Sequence, residues 1–232
     1  RRSECFPDIR YSVDCSMDKK QEISTILILQ GGPATGKTTL GTKIAADLKL
    51  PYFSKDGVKE PIFDFVGCPT TPAILDKISN VASSDYDTGD TLSGMKMEEA
   101  SVAILFRLIE AHIHVGKSCV IDCTFGEIHA SAFRELQSEC FFYPIQVYCH
   151  ADAIELSRRY RQRAESGERH RGHFDHLLYE SFSKNPSGWD LPPLEIGGVV
   201  FSIETTHSTE NDYDQLLQSI RKELIMNTRE YR

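Results

Sequence analysis

Apolar residues along this chain alternate between short uninterrupted runs and longer stretches of helical period, the pattern of buried strands separated by helices. The first run is Ile23 to Leu29, with Ile23, Ile26, Leu27, Ile28 and Leu29, and a helix from Thr38 to Leu48 follows it. Pro51 to Ser54 reads as a short strand, and Lys59 to Phe65 as a short helix broken by Pro61. Thr71 caps a helix from Pro72 to about Ala82, and Ser83 to Gly94 is rich in turn formers and reads as a loop. Helical spacing returns from Lys96 to Val115 through Val102, Leu105, Phe106, Ile109 and Ile113. A strand from Ser118 to Cys123, a helix from Glu127 to Cys140, a strand from Tyr143 to Cys149 and a basic helix from Asp152 to Ala164 come next. A strand from Val199 to Glu204 and a helix from Tyr213 to Met226 close the series. This alternation predicts an α/β fold, a central parallel sheet flanked by helices. Residues 1–20 show no period and read as an N-terminal extension to a single domain over 21–232.

Composition changes the picture modestly. A chain of 232 residues, 40% hydrophobic and 26% charged, suits one sizeable globular domain. No apolar run approaches the ~20 residues that cross a bilayer, and the N-terminus lacks a charged-then-apolar signal pattern, so a cytoplasmic protein without membrane contact is expected. The chain lacks an initiating Met, which suggests excision from a longer protein, with Met17 an alternative start. Seven cysteines fall without C-x-x-C pairs, and Cys119, Cys123 and Cys149 lie in or beside expected core strands, as buried reduced thiols would. The net charge of −8 argues against a generic nucleic-acid binder.

The chemistry is concentrated between the first strand and the first helix. Gly31-Gly32-Pro33-Ala34-Thr35-Gly36-Lys37-Thr38 matches G-x-x-x-x-G-K-[ST], the phosphate-binding P-loop, and Thr39 extends it. Glycines let consecutive N–H groups and the helix N-terminus face a phosphate. Lys37 adds a full positive charge, and the Thr38 hydroxyl is placed to ligate Mg²⁺. A chance glycine-rich turn is the alternative, disfavoured by the strand before it and the helix after it.

Two acids and two arginines complete the candidate site. Asp56 follows the second strand, where a carboxylate can orient an acceptor hydroxyl and take its proton; it could equally cap the helix that follows. Asp122 ends a buried strand as a Walker B acid does, reaching Mg²⁺ directly or through water, or serves only strand-end hydrogen bonding. Between Arg158 and His173 there are six arginines against Glu165 and Glu168, 6 − 2 = +4 in an acidic chain. Arg159 and Arg163 share a helix face, so both can fork onto one polyphosphate and neutralise charge during transfer; a solvated face paired with Glu155, Glu165 and Glu168 is the alternative. His170, His173 and His176 stand at i, i+3 and i+6, a superficial metal spacing with Asp175 the nearby acid and no strong zinc signature.

The P-loop together with Ser54-Lys55-Asp56, Lys59-Glu60, Phe63-Asp64 and Val120 to Phe125 forms an ordered set with Tyr148 to Asp152, Arg159 to Arg163 and Arg169-His170-Arg171-Gly172-His173. This set resembles the AAA-type P-loop kinases of the zeta-toxin, chloramphenicol phosphotransferase and polynucleotide kinase group, over about Ile23 to His176. The resemblance implies a P-loop NTPase fold with an arginine-rich lid, and transfer of the γ-phosphate of ATP or GTP to a hydroxyl with Mg²⁺. It implies Asp56 as general base and Arg159 and Arg163 as phosphate clamps. Arg171 stands where the group often has Pro, which alters the lid turn or adds a charge beside the acceptor.

A small-molecule acceptor is the leading expectation. A polynucleotide 5′ end is second, and would need an aromatic-lined basic channel, for which Tyr160, Phe174 and Tyr179 offer a partial start. A nucleotide-binding or ATPase module that regulates a partner is third. A nucleoside monophosphate kinase is weakened by the absence of arginine from Asp56 to Gly94. Acceptor identity and oligomeric state are not encoded in any motif.

Overall fold

The structure is a computed structural model that describes residues 23–68, 89–173 and 175–229. The N-terminal extension, the helix expected over 72–82, the first part of the 83–94 loop and Phe174 lie outside these residues. Five strands, β1 (Ser24–Gln30), β2 (Tyr52–Ser54), β3 (Cys119–Asp122), β4 (Phe142–His150) and β5 (Val199–Glu204), form one sheet in the order β2-β3-β1-β4-β5. Every neighbouring pair is parallel. The helices are α1 (Lys37–Leu48), α2 (Lys55–Val66), α3 (Gly89–His114), α4 (Glu127–Glu139), α5 (Ala153–Glu165), α6 (Asp175–Lys184) and α7 (Glu210–Arg229). Among the described residues no helix is long and apolar enough to cross a membrane.

Alternation along β1 explains why the sheet is covered twice. Side chains of opposite parity leave a strand on opposite faces. Ile26 and Ile28 pack with Cys119 and Ile121 against α3 and α4, through Leu105, Ile109, Phe133 and Leu136. Leu27 and Leu29 pack with Val120, Ile145 and Val147 against α1 and α7, through Ile44, Leu216, Leu217 and Ile220. With both faces of the strand in contact, a continuous apolar run is required. Cys119, Cys123 and Cys149 are buried outside any disulfide, and burial pushes all three thiols up to about 12, so they stay protonated.

The register sets where chemistry can occur. Leu29 and Ser54 both stand opposite Asp122, so β1, β2 and β3 end level with one another. The loop after β1, Asp122 and the start of α2 therefore share the carboxyl edge of the sheet, and β1, flanked by β3 and β4, marks the switch point where open α/β sheets bind ligands.

Three boundaries differ from the sequence reading. Pro61 does not break a helix; it lies inside α2, which begins at Lys55. Phe63 is buried along that helix and Lys59 pairs with Glu98, contacts that work against the ~3 kcal/mol that an interior proline costs. Residues 89–94, expected as loop, are the first turns of α3, because extending a formed helix is easier than nucleating one. Between α5 and β5, where no element was foreseen, lie α6 and two single 3₁₀ turns, Arg171–His173 and Pro186–Trp189.

Candidate active site

The loop from Gly31 to Gly36 links β1 to α1 and is bent by residues of positive φ. Gly31 has φ 128°, and a Cβ there would fall 2.2 Å from the carbonyl oxygen of Cys149, so only glycine lets the loop lie this close to β4. Ala34 and Gly36 also have positive φ, 62° and 86°, a concentration of uncommon backbone geometry at one loop. Lys37, the first residue of α1, donates from Nζ to the Gly32 carbonyl at 2.6 Å. Its ammonium is buried, with 8% exposure, and among the described residues no carboxylate forms an ion pair with it. Burial accordingly lowers its pKa, with Asp122 the leading opposing influence. A buried cation resting on one carbonyl is a site for an anion.

Beside it, Thr38 Oγ1 donates to Asp122 Oδ2 at 2.6 Å, and the Tyr52 hydroxyl donates to the same oxygen at 2.8 Å. Burial, then Asp122, raise the Tyr52 pKa, so it remains a donor. Thr38 and Asp122 offer the hard oxygen ligands that Mg²⁺ takes. Tyr52 was foreseen only as a strand residue; its role follows from β2 pairing with β3.

Across the edge, α2 carries a second set of charged groups. Ser54 is its N-cap, with Oγ accepting from Gly57 N at 2.9 Å. Asp56 is thus free of the capping role that the sequence left open. Burial raises its pKa, but His173, Lys59, Arg169 and Lys55 together outweigh burial and hold the carboxyl at about 2. Arg169 Nη2 donates to Asp56 Oδ2 at 2.9 Å, and Lys59 Nζ lies 3.8 Å from Oδ1. Glu98 of α3 accepts from Lys55 at 2.7 Å and from Lys59 at 2.8 Å, and these two cations overcome its burial and hold it at about 2. Glu98 had no motif to announce it.

The segment 169–173 closes onto one face of α2. Arg169 meets Asp56, His173 Nε2 lies 2.7 Å from Glu60 Oε1, and His170 Nε2 lies 3.2 Å from Asp64 Oδ1. Gly172 sits against Phe63, where a Cβ would stand 2.4 Å from the ring. Asp56, Glu60, Phe63 and Asp64 share a helical face at i, i+4, i+7 and i+8. His170 and His173 thus contact acids of α2; the His176 side chain lies outside the described residues. Asp56, Glu60 and His173 do bring ligand atoms within 4.8 Å of one another. Lys59 and Arg169 already sit against the Asp56 carboxylate, which disfavours a cation there. Arg171, at the position that departs from the family pattern, is exposed and does not line the cavity.

The two arginines of α5 occupy different positions. Arg159 spends its fork on the Thr205 hydroxyl and carbonyl, at 2.9 and 2.6 Å, with Nε on Glu155 at 2.7 Å and Nη1 3.4 Å from the Ala34 carbonyl. It braces the phosphate loop against the end of β5, which differs from two arginines forking onto one polyphosphate. Arg163 Nε lies 2.7 Å from Asp175 Oδ2, and its guanidinium sits 4.7 Å from the Tyr160 ring centroid. Arg158 and Arg161 pair with Glu155 and Glu165 on the solvent side, the solvated-face alternative. Tyr160 is buried and stacked on Phe182 at 4.3 Å, which removes it from any base-stacking channel.

These groups converge on one cavity of about 610 Å³. Lys37, Thr38 and Asp122 line one end, Lys55, Asp56 and Glu98 the other, and Arg159, Arg163 and Arg169 reach it from the lid. Arg169 was quoted in the sequence pattern without a role; the structure sets it against Asp56 and Asp175 at the cavity wall.

Comparison with known proteins fits this architecture. A kinase candidate from Chloroflexus aurantiacus J-10-fl is 27% identical, covering 88% of this chain and 99% of its own, with a TM-score of 0.70. A sugar kinase from Janibacter sp. HTCC2649 is similar at 14% identity, covering 86% of this chain and 95% of its own, with a TM-score of 0.48. Shikimate kinase from Acinetobacter baumannii is similar at 17% identity, covering 90% of this chain and 97% of its own, with a TM-score of 0.44. No curated protein sequence matches the chain. Residues 26–179, more than half of the chain, match the AAA domain family AAA_33, and with the parallel sheet and phosphate loop in place the chain belongs to that family of P-loop NTPases.

Proposed function

We propose that the protein is a kinase that transfers the γ-phosphate of ATP to a hydroxyl of a small-molecule acceptor, akin to the zeta-toxin and chloramphenicol phosphotransferase group. One observation carries this reading: a phosphate loop and an ionised carboxylate that does not cap its helix line the same cavity. The similarity to the Chloroflexus kinase candidate supports it.

Each residue then has a task. The backbone from Gly31 to Thr39 and the buried Lys37 ammonium receive the phosphates. Thr38 and Asp122 would hold Mg²⁺, which supplies charge neutralisation at the phosphate oxygens. Arg163 and Arg169 balance negative charge on the transferring phosphoryl oxygens and the leaving oxygen, while Arg159 keeps the loop against Thr205. Asp56 orients the acceptor hydroxyl and takes its proton. With its pKa near 2 it is a weak base, so alignment comes first and proton uptake late, once the O–P bond is well formed.

The test is transfer of label from γ-labelled ATP into a cell extract, with products separated into small-molecule, nucleic-acid and protein fractions. Label in the small-molecule fraction supports the reading. Label on 5′-hydroxyl oligonucleotides redirects it to a polynucleotide kinase, and bound ATP without any transfer favours a regulatory nucleotide-binding module.

A further inference from the structure

Asp175 opens α6 directly behind the segment that closes on α2, and its carboxylate is buried, with 7% exposure. Oδ1 accepts from the Tyr160 hydroxyl at 3.2 Å. Oδ2 lies 2.7 Å from Arg163 Nε and 3.3 Å from Arg169 Nε. One oxygen thus faces two guanidiniums that come from different elements and line the same cavity. Tyr160 in turn is stacked on Phe182, so the carboxylate stands on a rigid aromatic base.

We propose that Asp175 is a positioning residue that aims Arg163 and Arg169 at the terminal phosphate of the bound nucleotide. Two features carry this beyond an ordinary ion pair. Each guanidinium is approached at Nε, so Asp175 leaves both terminal nitrogens of Arg163, and Nη1 of Arg169 whose Nη2 is on Asp56, to meet a phosphate. The network is also unfinished: Arg163 Nε, Arg169 Nε and Asp175 Oδ2 are buried without a well-directed hydrogen bond, although they stand at ion-pair distance. These contacts are therefore ionic and not well-directed hydrogen bonds, and both arginines can adjust within the cavity they line while Asp175 holds their Nε side. The carboxylate also offsets repulsion between the two arginines, which must both remain near an empty phosphate site. Arg169, held at its other end by Asp56, links the nucleotide end of the cavity to the acceptor end.

This inference rests on the kinase reading. The experiment is calorimetric binding of MgADP and of the magnesium complex of a non-hydrolysable ATP analogue to the full chain. The readout is the ratio of the two affinities, which reports contacts to the terminal phosphate and is unmoved by general loosening of the fold. Asp175→Asn reduces the preference for the triphosphate about 10-fold while MgADP affinity holds. Arg163→Ala/Arg169→Ala loses the same preference, and adding Asp175→Asn to it changes nothing more. A ratio left intact by Asp175→Asn, or lowered equally in the arginine-free background, overturns the proposal. If Asp175→Asn does not fold, Asp175→Glu decides: it keeps the charge but moves the carboxylate by one methylene, so the triphosphate preference falls if Asp175 aims the arginines and holds at the wild-type ratio if it does not. A wild-type chain that binds neither nucleotide overturns the kinase reading and this inference together.

Discussion

The two ends of the cavity are built from different materials. The phosphate-loop end is mainly backbone: consecutive residues from Gly31 to Gly36, curled by positive φ and held by Lys37 and Thr35 on the Gly32 carbonyl. The end at α2 is side chain: Lys55, Asp56 and Lys59 from α2, Glu98 from α3 and Arg169 from the segment that closes on α2, joined across sequence separations of 43 and 113 residues. A backbone cradle fixes what it binds, because N–H groups in a row suit a phosphate and little else. A side-chain network can change its partner while the cradle stays the same, which is how one fold serves many acceptors.

The comparison can be broken most sharply at Lys37. Lys37→Met is expected to lower turnover about 10³-fold while the ion pairs of the end at α2 persist, visible as an unchanged or raised melting temperature. A variant that retained transfer would remove the cradle from the account. Asp56→Asn comes next, with a loss of about 10²-fold in label transfer. A third substitution acts on the joint between the ends. Gly172→Ala places a Cβ against the Phe63 ring, and forced overpacking of this kind costs about 1–3 kcal/mol. Denaturant unfolding measures that loss, and a fall in transfer alongside it would show that the lid must dock on α2.

The smallest effect concerns pH. The Asp56 carboxyl is held at about 2, so whatever its charge contributes is complete above the ordinary carboxylate range and is lost only as pH falls through about 2. Lys59→Met removes one of the cations that depress it, which favours the neutral acid and raises the pKa. The acid limb of the pH–rate profile is expected to move upward in this variant. No displacement would mean that Lys59 faces Glu98 alone.

The same contrast governs what the sequence reveals. The strands around β1 and the phosphate loop were legible because each is a contiguous pattern, and both faces of β1 follow from the parity of four residues, Ile26 to Leu29. Asp122 was legible because it ends such a strand. Glu98 was not, since an acid inside an expected helix looks like any solvated residue until two lysines 43 and 39 positions away arrive beside it. Arg159 and Arg163 were readable as one helix face, yet the Thr205 anchor that separates their positions is 46 residues away. For α6 a signal existed: Asp175 at its start, Leu178 and Phe182 at i, i+4, and Lys184 in the last turn. It was masked by the lid motif immediately before it.

The central claim, that a phosphate cradle presents the γ-phosphate to a hydroxyl aligned by a separate carboxylate, is tested most directly by measuring MgATP binding and label transfer side by side in wild type and Asp56→Asn. The account predicts nucleotide affinity within about 2-fold of wild type and transfer lowered about 10²-fold. Full transfer in the variant, or parallel loss of binding and transfer, would contradict it.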